Sequence, residues 1–456
     1  MIRTLRAAAT SMLATALLTA TFIPPAEAGS AGQDALQGQV NVVQQTGTVG
    51  VLAEVIGPRG SVYATAGEAD IATGAPVRAD DEFRIGSATK TFVATVVLQL
   101  AAEHRLSLDD TVAHWLPGVV SGNGNDGGRI TIRELLQHTS GLYDYADDFP
   151  EIDSSAAFEA DRYTTYTPGQ LVAIAMRHRP DFAPGTSWEY SDTNYILVGM
   201  IIAKATGHTW QQEVLDRIIR PLGLRHTVAP GTDPSIPDAH LDGYSAFGSG
   251  PAIDVTSANM TYAGSSGAMI STTADLIRFH QALLGGKLLP STQLAEMETT
   301  VPAHAFDSLW PGARYGLGLM WLPLSCGGGV YSHGGDVPGY TTLDGTTPDG
   351  RHVAVVEATG DGGTASLATQ HAMVALVDQQ MCSAETRTLT TRQAVARPGA
   401  PGAPGALLSA GTGSGSGSAG KRAATRVAVA VARRVVIARP VAAISSPLAA
   451  RIHQPG

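Results

Sequence analysis

The sequence predicts an α/β (α+β) fold, in which an antiparallel sheet from both chain ends, flanked by helices, carries an inserted and mostly helical lobe. Two β-type runs near the start, at 49–55 and 61–66, surround a Gly-Pro turn and predict a hairpin. Helical patterns fill the middle of the chain, and four more β-type runs lie between 314 and 358. A last helix is predicted over 365–381. Strands at both ends with helices between them favour one sheet over two separate ones.

The first 28 residues have the pattern of a secretory signal peptide. Arg3 and Arg6 precede a run rich in Ala, Leu and Thr, and Ala26-Glu27-Ala28 fits a cleavage site. The apolar run is too short and too alanine-rich to predict a transmembrane segment. We therefore expect a secreted, extracellular protein, free or associated with the cell wall. Its mature part would start near Gly29, with a loose lead-in over 29–46.

Charge divides the mature chain into an acidic body and a basic tail. Residues 29–382 contain 18 Lys and Arg against 38 Asp and Glu, whereas 383–456 contain 10 against 1. The acidic body argues against nucleic acid as the main partner. The tail is rich first in Pro, Gly and Ser and then in Arg, and we expect it to be disordered or removed. A weak contact with an anionic surface is the alternative.

Ser87 and Lys90 form the first candidate catalytic pair, where a glycine turn leads into a long apolar helix. In the first turn of a helix, backbone N–H groups lack helical partners and favour negative charge. Lys90 lies one turn after Ser87, so its amine could take up or relay the proton of the hydroxyl. The same spacing recurs in the tail at Ser418 and Lys421, so the pattern alone does not exclude an ordinary helix serine beside a surface lysine.

A second stretch, Tyr190-Ser191-Asp192, lies in a loop just before an apolar helix over 195–205. Thr131 and Thr167 have the capping pattern of two short helices that precede this loop. A tyrosine near a lysine ammonium has its phenolate favoured, and it can then act as a general base. The alternative is an aromatic ring that only packs the loop.

A third stretch covers 331–340 and contains His333, Gly334 and Gly335 at the edge of a predicted strand. Consecutive glycines let the backbone of a ligand approach closely. A backbone N–H there could pair with that of Ser87 to hold an oxyanion. The alternatives are a polar residue at a strand end and a simple glycine turn.

The chain has two cysteines, Cys326 and Cys382, both in the mature part. An oxidising compartment favours a disulfide between them, with two buried thiols as the alternative. No His or Cys cluster has metal-ligand spacing, and the pattern His-Glu-x-x-His does not occur. The sequence therefore predicts no metal site and no other cofactor.

The three stretches, in this order, resemble the motifs of the penicillin-recognising serine hydrolases: S-x-x-K on a helix, Y-x-N on a loop and K/H-[TSG]-G on a strand. The resemblance is to the group of the Streptomyces-type D-alanyl-D-alanine carboxypeptidase, the class C β-lactamases and related esterases. It covers residues 40–382, with supporting stretches at 135–142, 184–185 and 316–329. It implies a β-lactamase/transpeptidase-like fold for a hydrolase domain over 29–382.

The resemblance also implies a role for each candidate residue. Ser87 would attack the carbonyl of the substrate, and Lys90 with Tyr190 would move the proton to and from the leaving group. The N–H groups of Ser87 and Asp336 would form the oxyanion hole, and His333 would border the pocket near Tyr190. Water, or an acceptor amine in transpeptidation, would then release the acyl group.

Asp192, His333, Gly334 and Gly335 would contact the substrate, but two of these positions depart from the family pattern. Asp192 stands where the family usually has Asn, so an amide donor is replaced by a carboxyl group that donates only when protonated. Gly334 replaces a Thr or Ser hydroxyl that holds the terminal carboxylate of the substrate in the carboxypeptidase. An arginine expected before the first cysteine is also absent. Each change weakens recognition of a free carboxylate.

We therefore expect a secreted serine hydrolase that acts through a serine acyl-enzyme, foremost a D-alanyl-D-alanine carboxypeptidase of peptidoglycan stem peptides. β-Lactams would be acylating ligands, the substrate a small peptide or ester, and the protein a monomer. A carboxylesterase or a class C-like β-lactamase of the same family is the alternative. A non-catalytic protein that binds wall peptides is the alternative of another class.

Overall fold

The computed structural model describes residues 25–58, 60–149, 154–247, 251–360 and 366–383. Residues 1–24 of the predicted signal peptide (1–28) and residues 384–456 of the predicted tail (383–456) lie outside these described residues. The helices are α1 (Pro25–Gln44), α2 (Thr89–Ala102), α3 (Val112–Trp115), α4 (Ile132–Leu136), α5 (Ser155–Asp161), α6 (Pro168–Ala175), α7 (Asp192–Thr206), α8 (Trp210–Val214), α9 (Arg220–Leu222), α10 (Gly264–Gly267), α11 (Thr273–Leu284), α12 (Ser291–Met297) and α13 (Ser366–Met381). The strands are β1 (Gly50–Gly57), β2 (Gly60–Asp70), β3 (Ala75–Pro76), β4 (Phe83–Arg84), β5 (Ser121–Gly122), β6 (Asn125–Asp126), β7 (Tyr244–Ser245), β8 (Ile253–Asp254), β9 (Ile270–Ser271), β10 (Val301–Pro302), β11 (Arg314–Tyr315), β12 (Met320–Pro323), β13 (Gly329–Ser332), β14 (Gly335–Val337), β15 (Tyr340–Thr346) and β16 (Val353–Thr359).

One antiparallel sheet of ten strands joins the two ends of the described chain. Its order is β10-β11-β12-β13-β15-β16-β1-β2-β3. The tenth strand, β14, pairs with residues 340–342 at the N-terminal end of β15. The junction is the ladder between β1 and β16, which runs from Gly50 opposite Thr359 to Ile56 opposite Val353. The predicted fold class, with its sheet from both chain ends and its inserted helical lobe, is therefore confirmed.

Both faces of the central strands are buried, because helices cover each side of the sheet. Along β1, Val51 and Ala53 point to a core shared with α1 and α13, whereas Leu52 points to the core of the helical lobe. Successive side chains of a strand point to opposite faces, so a strand between two helical layers must be apolar at nearly every position. Val51, Leu52, Ala53 and Val55 meet this requirement, and the exception in this run is the half-buried Glu54.

Helix α2 passes through the middle of the helical lobe and is apolar on almost every side. Phe92, Val93, Val96 and Val97 are fully buried, and Phe92 stacks on Phe279 of α11 with 3.7 Å between ring centroids. A helix that is hydrophobic all round needs partners on all sides. α2 is therefore a fixed platform for the residues at its N-terminus.

The predicted loose lead-in over 29–46 is wrong, because α1 extends to Gln44. Leu36, Val40 and Val43 are fully buried against the sheet, and their spacing of four and three residues marks one face of a helix. The small and polar residues between them hide this pattern. The packing of α1 on β2, rather than its own composition, accounts for the helix.

A disulfide joins Cys326, in the loop between β12 and β13, to Cys382 after the end of α13. The sequence predicts this pairing. The bond ties the last helix back to the sheet across 56 residues of chain. Within the described ranges, no helix combines the length and the hydrophobicity that a bilayer span requires.

Replacement of both cysteines by serine should destabilise the protein by about 2–4 kcal/mol, because the bond restricts the unfolded chain over a long loop. The measurement is the thermal midpoint of the wild type, with and without reductant, beside that of C326S/C382S. We expect the reduced wild type and the double variant to share a lower midpoint, while reductant leaves the variant unchanged. Equal midpoints for the oxidised wild type and the variant would contradict this.

Candidate active site

Ser87 lies in a tight turn, Gly86–Ala88, that leads directly into α2. Gly86 has a φ of +48°, and a Cβ there would lie 2.8 Å from the backbone nitrogen of Asp336. A Cβ on Gly335 would lie 2.0 Å from the carbonyl oxygen of Ile85 and 2.7 Å from the nitrogen of Ser87. Only glycine fits at both positions, so the backbone of β14 lies directly against the Ser87 turn. This contact brings together the two backbone segments whose N–H groups are the predicted oxyanion hole.

The Lys90 ammonium is fully buried and donates three hydrogen bonds. They reach Ser87 Oγ at 3.1 Å, Asp192 Oδ1 at 2.6 Å and the carbonyl oxygen of Ser266 at 2.8 Å. An ammonium has three protons to donate, so these three acceptors are enough to satisfy it. Asp192 is itself 4% exposed, so the two residues form a buried ion pair.

The ring of Tyr190 lies over the same ammonium, with 4.7 Å between Lys90 Nζ and the ring centroid. This distance is within the range of a cation–π interaction. The Tyr190 ring also stacks on the imidazole of His138, with 4.3 Å between ring centroids. The three predicted catalytic residues, Ser87, Lys90 and Tyr190, thus meet around one buried ammonium. Their catalytic roles stay predictions.

A chain of buried hydrogen bonds connects the Tyr190 loop to the edge of the sheet. The N–H of Ser191 donates to His138 Nδ1 at 3.2 Å, and His138 Nε2 lies 3.2 Å from the Tyr315 hydroxyl. That hydroxyl lies 2.8 Å from His333 Nε2, and His333 Nδ1 lies 2.7 Å from the carbonyl oxygen of Gly334. Because Nδ1 of His138 accepts and Nδ1 of His333 donates, each step has one donor and one acceptor.

The two imidazoles in this series of hydrogen bonds, those of His138 and His333, are neutral. Burial, and next the nearby Lys90 ammonium, lower the pKa of His333 to about 4. The same two causes hold the pKa of His138 well below its ordinary value. The backbone N–H of His333 donates to Asp344, a fully buried carboxylate whose other oxygen lies 3.1 Å from His280 Nε2. The strand edge that carries Gly334 and Gly335 is therefore held through His333 by two contacts, one with Tyr315 and one with Asp344.

Sequence reasoning assigned no role to His138 or Tyr315. His138 lies in the stretch 135–142, which the resemblance included, and its φ of +60° is rare for a residue with a side chain. Tyr315 carries no motif, and its position next to His333 depends on the pairing of β11, β12 and β13. The structure indicates that both are positioning residues for Tyr190 and for the strand edge.

The site opens into a cleft with about 850 Å³ of empty space, part of it open to solvent. Ser87, Asp192, Ser266 and Asp336 lie in its wall, and Tyr190 and His333 do not. His333 is 2% exposed and lies beside Tyr190, with 6.5 Å between ring centroids. The rest of the wall is largely aromatic and apolar and includes Tyr145, Phe149, Phe247, Tyr262, Val337 and Pro338.

Residues 33–379 match the Beta-lactamase family. The chain belongs to this family. The match covers the sheet and the helical lobe, and it confirms the resemblance drawn from the three motifs. The protein is therefore a serine hydrolase of the β-lactamase and penicillin-binding protein family.

Two solved structures are similar to this member of the family over most of its length. A D-stereospecific amidohydrolase from Streptomyces sp. is 44% identical, with a TM-score of 0.68 over 74% of this chain and 97% of that one. The D-amino acid amidase from Ochrobactrum anthropi SV3, in complex with L-phenylalanine amide, is 27% identical. Its TM-score is 0.67, over 78% of this chain and 99% of that one.

Among curated proteins, Penicillin-binding protein 4 of Amycolatopsis lactamdurans is 29% identical over 276 residues, which is 59% of this chain and 67% of that protein. A penicillin-binding protein of Bacillus subtilis (strain 168) is 27% identical over a match of the same length, which is 60% of this chain and 61% of that protein. This family member therefore spans about three fifths of the length of such a relative.

The first variant to test the site is D192N, which should shift the acid limb of the kcat/KM profile to lower pH by roughly one unit or more. Whichever of Lys90 and Tyr190 is the base, removal of a neighbouring negative charge favours its deprotonated form. Hydrolysis of a p-nitrophenyl ester across the pH range measures the effect. D275N, which removes another buried carboxylate away from the cleft, is the matched control. Coincident acid limbs for D192N and the wild type would contradict a charge interaction.

The buried His333 should make the protein less stable as the pH falls. Its pKa is about 4 in the folded state and about 6.5 in an unfolded chain. The unfolded state therefore takes up the proton first, and stability present above pH 6.5 is lost as the pH falls towards 4. The loss is on the order of 3 kcal/mol. Urea unfolding at several pH values should show a shallower pH dependence for H333Q than for the wild type, and an unchanged one for H304Q, since His304 is exposed. Parallel wild-type and H333Q curves would contradict this.

Proposed function

We propose that this protein hydrolyses amide bonds of D-amino acids that carry a bulky apolar side chain and a free α-amine. It would act on amides or short peptides through an acyl-enzyme on Ser87. The observation that carries the proposal is the cleft into which Ser87 opens, because its wall is aromatic and acidic and Lys90 and Tyr190 lie directly behind the Ser87 hydroxyl. D-Configuration and the amide bond are suggested by the Streptomyces amidohydrolase and the Ochrobactrum amidase, the two similar structures.

The aromatic part of the wall suits an apolar side chain of the substrate. The rings of Phe149 and Tyr262 lie 5.6 Å apart in a stacked arrangement, and the hydroxyl of Tyr145 donates to the carbonyl oxygen of Tyr262. A cleft of this composition gains free energy when it covers a ring or an aliphatic chain. A methyl group, such as that of alanine, would cover less of this surface.

The charged side chains in the wall, as far as the structure describes it, are the carboxyl groups of Asp192 and Asp336. The charge of Asp192 is compensated by Lys90 at 2.6 Å. Attraction of an ammonium and repulsion of a carboxylate therefore come mainly from the carboxyl group of Asp336. A substrate with a free α-amine therefore suits this cleft better than one with a free C-terminal carboxylate. The loss of the Thr or Ser hydroxyl at Gly334 and of the family arginine agrees with this direction.

The chemistry follows from the contacts around Lys90. Ser87 Oγ would attack the amide carbon, while its proton passes to Tyr190 or Lys90, and the carbonyl oxygen would become an oxyanion held by the N–H groups of Ser87 and Asp336. The same base would then return the proton to the leaving nitrogen, so that an amine or ammonia departs and an ester remains on Ser87. Attack by water would release the acid and restore the hydroxyl.

A D-alanyl-D-alanine carboxypeptidase is the second candidate function. It is favoured by the order of the three motifs and by the penicillin-binding relatives, and β-lactams would then acylate Ser87. In either case we propose a secreted location, in keeping with the predicted signal peptide and the disulfide. The basic tail could add a weak contact with an anionic wall or membrane surface.

A comparison of four substrates separates the two functions. The proposal predicts that D-phenylalanine amide is hydrolysed with a kcat/KM at least tenfold above that of L-phenylalanine amide. N-acetyl-D-phenylalanine amide should be slower as well, because it lacks the charge that the acidic wall binds. A peptide ending in D-Ala-D-Ala with its free carboxylate should be the poorest of the four.

S87A is the control for every substrate, since it removes the nucleophile and should abolish turnover and labelling by a fluorophosphonate. If the D-Ala-D-Ala peptide is the best substrate, the carboxypeptidase is correct and the amidase proposal fails. Turnover that survives in S87A would contradict both functions.

A further inference from the structure

Away from the cleft, three side chains that can bind metals meet beside the segment that leads to Ser87. One oxygen of Glu82, one ring nitrogen of His226 and one oxygen of Asp238 lie within 4.8 Å of one another. Within the part of the chain that the structure describes, no other group of three His, Cys, Asp or Glu residues has its ligand atoms within this distance of one another. It lies outside the cleft wall, so the proposed hydrolysis does not use it.

The distances within this group fit a tetrahedral ion. His226 Nδ1 lies 3.0 Å from Glu82 Oε1 and 3.7 Å from Asp238 Oδ2. Bonds of about 2.0–2.2 Å to a tetrahedral Zn²⁺ place neighbouring ligand atoms about 3.4 Å apart. The two observed distances lie on either side of this value. The third pair of ligand atoms, on Glu82 and Asp238, lies within 4.8 Å, and the exposed Asp238 side chain would move inward to complete the third bond.

Glu82 shows independently that a ligand is needed here. The residue is 1% exposed, and its Oε2 has no hydrogen-bond partner among the described residues. A buried carboxylate oxygen without a partner is costly, and a cation is a strong partner for it.

The three ligands are held in place by contacts that do not depend on an ion. The N–H of Glu82 donates to the carbonyl oxygen of Ala239 at 2.8 Å, and its own carbonyl oxygen accepts from the N–H of Leu241 at 3.0 Å. The N–H of His226 donates to the Asp275 carboxylate at 2.9 Å. The side chains of His226 and Asp238 are 44% and 66% exposed, so an ion and a water ligand can reach them.

We propose that Glu82, His226 and Asp238 form a structural site for Zn²⁺, with water as the fourth ligand. One imidazole nitrogen with two carboxylates suits Zn²⁺, whereas Ca²⁺ and Mg²⁺ prefer oxygen ligands alone. The bound ion would replace the proton on His226 Nδ1. It would join three chain segments next to the ladder of β4 and β9, five residues before the nucleophile. Its effect is therefore on stability rather than on the reaction.

No sequence motif marks this site, and the sequence alone predicts no metal. Glu82 and His226 are 144 residues apart, and the short spacing between His226 and Asp238 matches no common zinc pattern. The ligands come together because the backbone of Glu82 pairs with the segment 239–241.

Zinc titration of the untagged mature protein, after removal of metals with EDTA, tests the proposal. Isothermal titration calorimetry with ZnCl₂ gives the stoichiometry, and the visible absorption of added Co²⁺ reports the coordination geometry. H226Q and D238N remove one ligand each from exposed positions. H304Q is the matched control, because His304 and Asp307 form a similar His–carboxylate pair, at 2.8 Å, without a third ligand.

We expect one Zn²⁺ per chain for the wild type and H304Q, a tetrahedral Co²⁺ spectrum, and a rise of several degrees in the thermal midpoint with Zn²⁺. H226Q and D238N should lose the binding at least tenfold and lose the rise in midpoint. Hydrolysis by H226Q should stay at the wild-type level. Zinc binding that is absent in the wild type, or equal in the wild type and H226Q, would overturn the site and leave the proposed hydrolysis untouched.

Discussion

The buried ammonium of Lys90 is the interaction on which the site depends. Removal of a charge from water is costly unless hydrogen bonds and an opposite charge replace the solvent. Its three acceptors come from three different elements: the turn before α2, the first turn of α7 and the helix α10. Asp192 is well placed for this, because a carboxylate in the first turn of a helix is also favoured by the helix dipole. The helical lobe must therefore close correctly for Lys90 to be satisfied.

The sheet fixes a second part of the site, the backbone of β14 that lies against the Ser87 turn. Strand β14 can contact the Ser87 turn only because Gly86 and Gly335 carry no side chains there. The position of β14 depends on β15, which pairs with β16, and β16 pairs in turn with β1 from the other end of the chain. The predicted oxyanion hole thus depends on the closure of the whole sheet. This explains why the chemistry of one hydroxyl needs more than 300 residues of ordered chain.

Local signals in the sequence were enough for most elements and for the three motifs. The capping box at Thr131 and the N-cap at Thr167 are present as predicted, because such caps are formed by residues within three positions of one another. The hydrogen-bonded chain from His138 to His333 was not predictable, since its middle member, Tyr315, is 177 residues from His138. The helical lead-in was missed for a related reason: its stability comes from the sheet beneath it. Sequence patterns thus report local structure, while the layer around the site follows from tertiary packing.

The substitution of Asp for the usual Asn at position 192 changes the charge of the whole site. With Asn, the ammonium of Lys90 would be an uncompensated positive charge next to the substrate. With Asp192 at 2.6 Å the pair is neutral, and its field on a substrate carboxylate is largely cancelled. The missing hydroxyl at Gly334 removes a further donor for that carboxylate. Both changes act in the same direction. Under the proposed function they are explained together, as the loss of a binding site for a C-terminal carboxylate in a hydrolase that retains the predicted nucleophile Ser87.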